Sequence, residues 1–207
     1  MPRMIKPVID NADKQRTYRE HKVRYKKAME NEFYFEALLI DYALLEDRLR
    51  SMIYHMGFLR DRSCLKIWNK KTDFLKDVVS IYKEKDESYQ LGISSISGKI
   101  KIVRCVLRWA AYTDGDYHND KHLLSLKNKC EGLDIDGLLI AFEKLNEWRD
   151  YRNEVIHALM NKNIDSLSVE LKQRAEEGMT LATFFDNQEK TLKRGNIIRK
   201  RAGLQMK

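Results

Sequence analysis

The chain's 207 residues are 43% hydrophobic and 34% charged, and 39 Lys and Arg against 31 Asp and Glu leave a formal net charge of +8. This length and composition fit one full-size domain or two small ones, burying roughly 70% of the unfolded surface, and exclude a disordered acidic chain. No apolar run approaches the ~20 residues of a membrane-spanning helix, and Met1-Pro2-Arg3-Met4-Ile5-Lys6-Pro7 contains no signal-like apolar stretch, so a cytoplasmic protein with no membrane partner is expected.

Both prolines, Pro2 and Pro7, precede residue 8, which predicts helices for the rest of the chain. Glycine becomes the main punctuation. Gly57, Gly92, Gly98, Gly115, Gly132, Gly137, Gly178, Gly195 and Gly203 each read as a boundary. Residues 11–32 are charged with sparse apolar positions and run on into Phe33, Tyr34 and Phe35, predicting one long helix or two with a bend. Leu38, Tyr42, Leu45, Leu49, Met52 and Met56 then recur at helical spacing up to Gly57, which reads as the C′ residue. Leu39, Ile40, Ala43 and Leu44 widen that face, so this helix is central or contacts a second subunit.

Further helices are predicted at 72–86, 95–111, 119–130, 135–161, 165–177 and 180–202, with loops around 58–64, 87–94 and 112–118. With no strand alternation, repeat or proline-rich linker, the fold class is all-α, a single helical bundle domain. It divides into a charged N-terminal helical extension (1–32), a helical domain (33–178) and a basic C-terminal helix or tail (179–207). Cys64, Cys105 and Cys130, odd in number and widely spaced, read as reduced thiols, mostly small core residues.

The charge is uneven. From Lys190 onward the chain carries Lys190, Lys193, Arg194, Arg199, Lys200, Arg201 and Lys207 without an acid, so the tail supplies nearly all the excess. Such a run tracks phosphates in a salt-sensitive, sequence-tolerant way, or is simply a solvated tail. Phe184 and Phe185 would anchor it to the core. Arg19, Lys22, Arg24, Lys26 and Lys27, interleaved with Tyr18 and Tyr25, read equally as a second RNA-facing strip or a solvated helix.

The strongest local signal runs from Trp148 through Arg149, Asp150, Tyr151, Arg152, Asn153, Glu154, Val155 and Ile156 to His157. Leu138, Phe142, Leu145, Arg149, Arg152, Ile156 and Leu159 follow core spacing, so two arginines stand where apolar residues ordinarily would. Buried charge is costly unless paired or used. Asn153 and His157 share a face, whereas Arg152 and His157 are five apart, about 140° around the helix. Two copies across a two-fold axis would place both pairs in one cleft. The same spacing recurs at Arg16–His21 and Arg50–His55; the asparagine after the arginine and the more enclosed setting favour Arg152.

Arg152-Asn153-x-x-x-His157, near the end of a late helix and preceded by an early apolar helix from Phe33 to Met56, resembles the HEPN superfamily of all-helical domains. The resemblance covers residues 30–165 in pattern and is specific in the short motif. It implies a dimeric, metal-independent endoribonuclease of antiphage defence (abortive infection) or toxin–antitoxin systems, with Arg152 and His157 catalytic and Asn153 supportive. Leu159 stands where some members carry a tyrosine modified by a partner nucleotidyltransferase. The 2′-hydroxyl of single-stranded RNA would attack the adjoining phosphate, with histidine moving protons and arginine neutralising the nonbridging oxygens. No cofactor or metal is expected.

Arg149, Lys190, Lys193, Arg194, Arg199, Lys200 and Arg201 are the expected RNA-binding residues. An antitoxin or a guide or regulatory RNA is a further expected partner. Two alternatives remain open: Arg152 bonded to Glu46 or Asp47 of the early helix with His157 an ordinary surface residue, and a non-catalytic HEPN-like RNA-binding protein. The segment Asp114 to His122 alternates metal-ligand types, but Asn119 and Ser125 replace the glycine and final glutamate of a calcium loop, leaving a solvated connection.

Overall fold

The structure, a computed structural model, describes residues 11–62, 64, 66–85, 91–113, 120–158 and 168–205, with the backbone alone at 11, 168–169 and 195–205. The described residues form seven α-helices and no strand. They are α1 (Asn11–Glu30), α2 (Tyr34–His55), α3 (Thr72–Tyr82), α4 (Ile96–Tyr112), α5 (Lys121–Cys130), α6 (Ile135–Ala158) and α7 (Ser168–Gln205), with one 3₁₀ turn at Asn69–Lys71. The all-α expectation holds. None of these helices is long and apolar enough to cross a membrane.

α2 is the central element. It packs most extensively against α7, then against α1 and α4, and Leu38, Leu45, Leu49, Met52 and Ile53 are fully enclosed. α4 adds Val103, Cys105, Val106 and Leu107, and α6 adds Leu138, Phe142, Leu145 and Trp148, to the same core. Each fully buried large side chain of this kind contributes roughly 1.5–3 kcal/mol from surface removed from water. Cys105 and Cys130 are buried as expected, whereas Cys64 is only half-buried, lying in the connection after α2.

The start of the chain forms two helices rather than one. α1 ends in a Schellman turn, in which the Glu32 amide donates to Met29 O and the Phe33 amide to Ala28 O (3.3 and 2.8 Å). Glu32 adopts the left-handed conformation, φ 62°, which favours glycine. α2 ends in the same way at Gly57, φ 91°, with Gly57 N donating to Tyr54 O and Phe58 N to Ile53 O. The expected C′ residue is therefore correct. Asp120 caps α5, accepting from the amides of His122 and Leu123 at 2.7 and 3.2 Å, and Ser95 caps α4 by accepting from Gly98 N.

The expected break at Gly178 is absent. The predicted helices at 165–177 and 180–202 are one 38-residue helix, α7, which also runs through Gly195 and Gly203. The reason at Gly178 is a close approach. A Cβ there would stand 2.8 Å from both Asp41 Oδ2 on α2 and Trp148 Cζ2 on α6, so glycine allows three helices to meet.

Candidate functional site

The buried seam of α6 is Leu138, Ala141, Phe142, Leu145, Trp148, Val155 and Ala158. This corrects the expected seam. Trp148, not Arg149, takes the core position, because its indole fills the contact with α7 and donates to Arg174 O at 2.7 Å. Arg149 and Ile156 lie half-buried beside the seam, and Leu159 falls outside the described residues. Arg149 closes on the neighbouring Asp150 at 2.8 Å.

Arg152 lies on the seam between Trp148 and Val155 and is half-buried. Its guanidinium stacks over the Tyr42 ring of α2 at 4.1 Å, a cation–π contact, and donates to Asn153 Oδ1 at 3.1 Å. Its Nε is buried with no hydrogen-bond partner. Glu46 instead pairs with Arg50 and Lys99, at 3.1 and 3.0 Å, while Asp47 holds Lys14 and Arg48. Seven other arginines among the described residues are buried or half-buried: Arg48, Arg50, Arg62, Arg104, Arg108, Arg149 and Arg174. All seven have a carboxylate partner. Arg152 has none among the described residues.

His157, in the last turn of α6, is exposed, and Asn153 is half-buried. The helix thus brings Arg152 and Asn153 together and leaves the imidazole open to solvent. The other two pairs of the same spacing are differently placed. Arg16 is exposed and bound to Asp13 at 2.8 Å, and Arg50 is held by Glu46.

A second polar centre was not anticipated. Where α1, α2 and α7 meet, Arg48, His55, Asp186 and Glu189 are all buried. Arg48 reaches Asp186 at 2.9 Å and Glu189 at 3.5 Å and also bonds Asp47. His55 Nε2 lies 2.9 Å from Glu189 Oε1 and 2.8 Å from Arg62 Nη2. Burial alone would raise the Glu189 carboxyl, but the His55 hydrogen bond and the charges of Arg48, His55 and Arg62 hold it below the usual carboxylate range. Burial likewise opposes ionisation of Asp47 and is outweighed by Arg48 and Lys14. The Tyr18 phenol is pushed up to about 12, by burial first and then by Asp186.

The signal was present in α2. Asp41, Arg48, Ser51 and His55 recur at helical spacing inside a mostly apolar helix, and all are buried. Asp41 is the exception among these acids. It is fully enclosed, both oxygens lack a hydrogen-bond partner, and burial pushes its carboxyl up to about 9.

Arg48, Asp186 and Glu189 of the second centre line a cavity of ≈ 370 Å³ formed by α1, α2 and α7 together with Arg62. Lys190 and Lys193, expected to bind RNA, line it, and Lys190 is tied to Asp186 at 2.7 Å. Arg194 is exposed. The backbone of 199–201 is helical, but the side chains of Arg199, Lys200 and Arg201 lie outside the described residues, as does the segment 114–119. Among the described residues, no three His, Cys, Asp or Glu side chains are grouped as metal ligands.

No family model, curated protein or solved structure matches the chain. The HEPN resemblance rests on the motif and its helical setting.

Proposed function

We propose that this chain is a metal-independent endoribonuclease of the HEPN type that cuts single-stranded RNA between two copies of itself, in a defence or toxin–antitoxin setting. One observation carries the reading: Arg152 is half-buried, oriented by Tyr42 and Asn153, and lacks the carboxylate that every comparable arginine has among the described residues. A guanidinium kept from acids in a partly desolvated place suits an incoming phosphate, which it pairs with in bidentate fashion. His157, less than two turns on, is exposed and accessible to an RNA hydroxyl.

In the proposed step the 2′-oxygen loses its proton and forms a bond to phosphorus while the bond to the 5′-oxygen breaks. The leaving oxygen takes up a proton, giving a 2′,3′-cyclic phosphate and a 5′-hydroxyl. One His157 accepts the first proton, its two-fold mate supplies the second, and Arg152 neutralises the nonbridging oxygens. A second copy is needed because the exposed His157 is uncovered in a single chain. That exposure also favours the alternative, a non-catalytic RNA-binding protein, if the copies never pair.

The test is cleavage of single-stranded RNA by the purified chain in EDTA. Cyclic phosphate ends are expected, and His157→Ala or Arg152→Ala lowers the rate by about 10²–10⁴-fold with the helical circular dichroism unchanged. Undiminished cleavage by His157→Ala overturns the assignment. Binding without cleavage by the parent supports the alternative, and a scattering mass of one chain in the active sample overturns the site shared between two copies.

A further inference from the structure

The α1–α2–α7 cavity stands apart from Arg152, since Arg48 lies about 120° around α2 from Tyr42. Its floor is electrostatically satisfied: Asp186 is held by Arg48 and Lys190, and Glu189 by Arg48, His55 and Arg62. Its walls are not. Arg19 and Lys22 from α1 and Lys193 from α7 line the same space, and none has a carboxylate partner among the described residues. Lys22 rests on one edge of this space over the Tyr18 ring at 5.0 Å, and Arg48 lies 4.7 Å from the same ring. The Tyr18 hydroxyl is buried without a hydrogen-bond partner.

We infer that this cavity binds a compact oligophosphate group, as carried by a nucleoside triphosphate or by the 5′ end of a triphosphorylated RNA. Uncommitted cations stand on two different helices, so one phosphate engages one wall and a chain of phosphates engages both. The volume, ≈ 370 Å³, falls within the range of small-ligand pockets. A ligand joining α1 to α7 also reinforces contacts that hold α1 in place, among them Lys14 with Asp47 at 2.7 Å. The inference does not depend on RNA cleavage at Arg152.

The test is calorimetric titration of the full chain with inorganic triphosphate, ATP, AMP and a short RNA bearing either a 5′-triphosphate or a 5′-hydroxyl. Triphosphate and ATP are expected to bind about tenfold or more tightly than AMP. Arg19→Ala combined with Lys193→Ala weakens triphosphate by about tenfold or more, whereas Lys172→Ala, an exposed change on α7 outside the cavity, does not. Preference for the 5′-triphosphate RNA over its 5′-hydroxyl form identifies an RNA end as the source; equal binding of the two RNAs beside tight ATP binding identifies the free nucleotide. Arg152→Ala leaves the affinities for inorganic triphosphate and ATP unchanged, which separates this result from the cleavage assay. Triphosphate binding no tighter than AMP, or unaltered in the double variant, overturns the inference.

Discussion

Arg48 belongs to α2 and Arg152 stacks on it from α6, yet their surroundings differ. Arg48 is enclosed by Asp47, Asp186 and Glu189, while Arg152 has an aromatic ring, an amide and no acid. The first arrangement ties α2 to α7 and is committed to folding. The second leaves a guanidinium oriented but electrostatically open. Buried and half-buried arginines of one chain thus divide by the acids around them, and that division marks where an anion is more readily received.

The sharpest test of this contrast is stability. Glu189→Ala leaves Arg48, Arg62 and His55 facing one another with one acid fewer and is expected to cost about 3–5 kcal/mol in urea denaturation. Arg152→Ala removes a cation–π contact and stays within about 1 kcal/mol. Equal losses in the two variants would erase the distinction.

Gly178 lies where α7 passes from one region towards the other. Gly178→Ala gains up to about 1 kcal/mol in helix propensity, but its methyl meets Trp148 and the Asp41 Cβ, at 2.8 and 2.9 Å. A net loss of about 1–3 kcal/mol is expected from overpacking. A raised melting temperature would show that the three helices part easily.

An effect graded with pH separates Asp41 from the acids paired with Arg48. Unfolded, Asp41 titrates near 3.8, and folded near about 9, so folding takes up a proton between those values and stability falls as pH rises through that window. Asp41→Asn removes this dependence and gains on the parent by up to about 1.4 kcal/mol per pH unit. Glu189 and Asp47, with depressed values, act in the opposite sense: their stabilisation is present above the ordinary carboxylate pKa and is lost as pH falls through their folded values. Denaturation midpoints of both proteins between about pH 3 and pH 8 check the signs; a variant that tracks its parent at every pH contradicts the burial of an unpaired acid.

The helix caps explain what sequence reasoning could read. Glu32 and Gly57 end their helices with the same hydrogen-bond pattern and the same hand, but only the glycine advertises it. A left-handed glutamate costs about 1–2 kcal/mol and carries no local signature, so one long helix and two stood equally. Gly178 misled in the other direction, since a glycine that admits a neighbouring helix resembles one that ends its own. The motif on α6 was legible as spacing, although its register was off by one at Trp148. The cavity was not legible, because its members come from α1, α2 and α7, and Asp186 and Glu189 acquire meaning only when α7 lies across Arg48.

The unbroken course of α7 changes what its basic end can reach. From Lys190 to Gln205 the backbone is helical, so those residues rise about 24 Å, whereas the same stretch fully extended would span about 55 Å. The backbone that carries the basic residues therefore advances at the helical rise from Lys190 and Lys193 at the cavity wall. Under the proposed RNA binding, added salt weakens the hold on phosphate without changing this helical rise, so the length of RNA protected stays constant as the affinity falls.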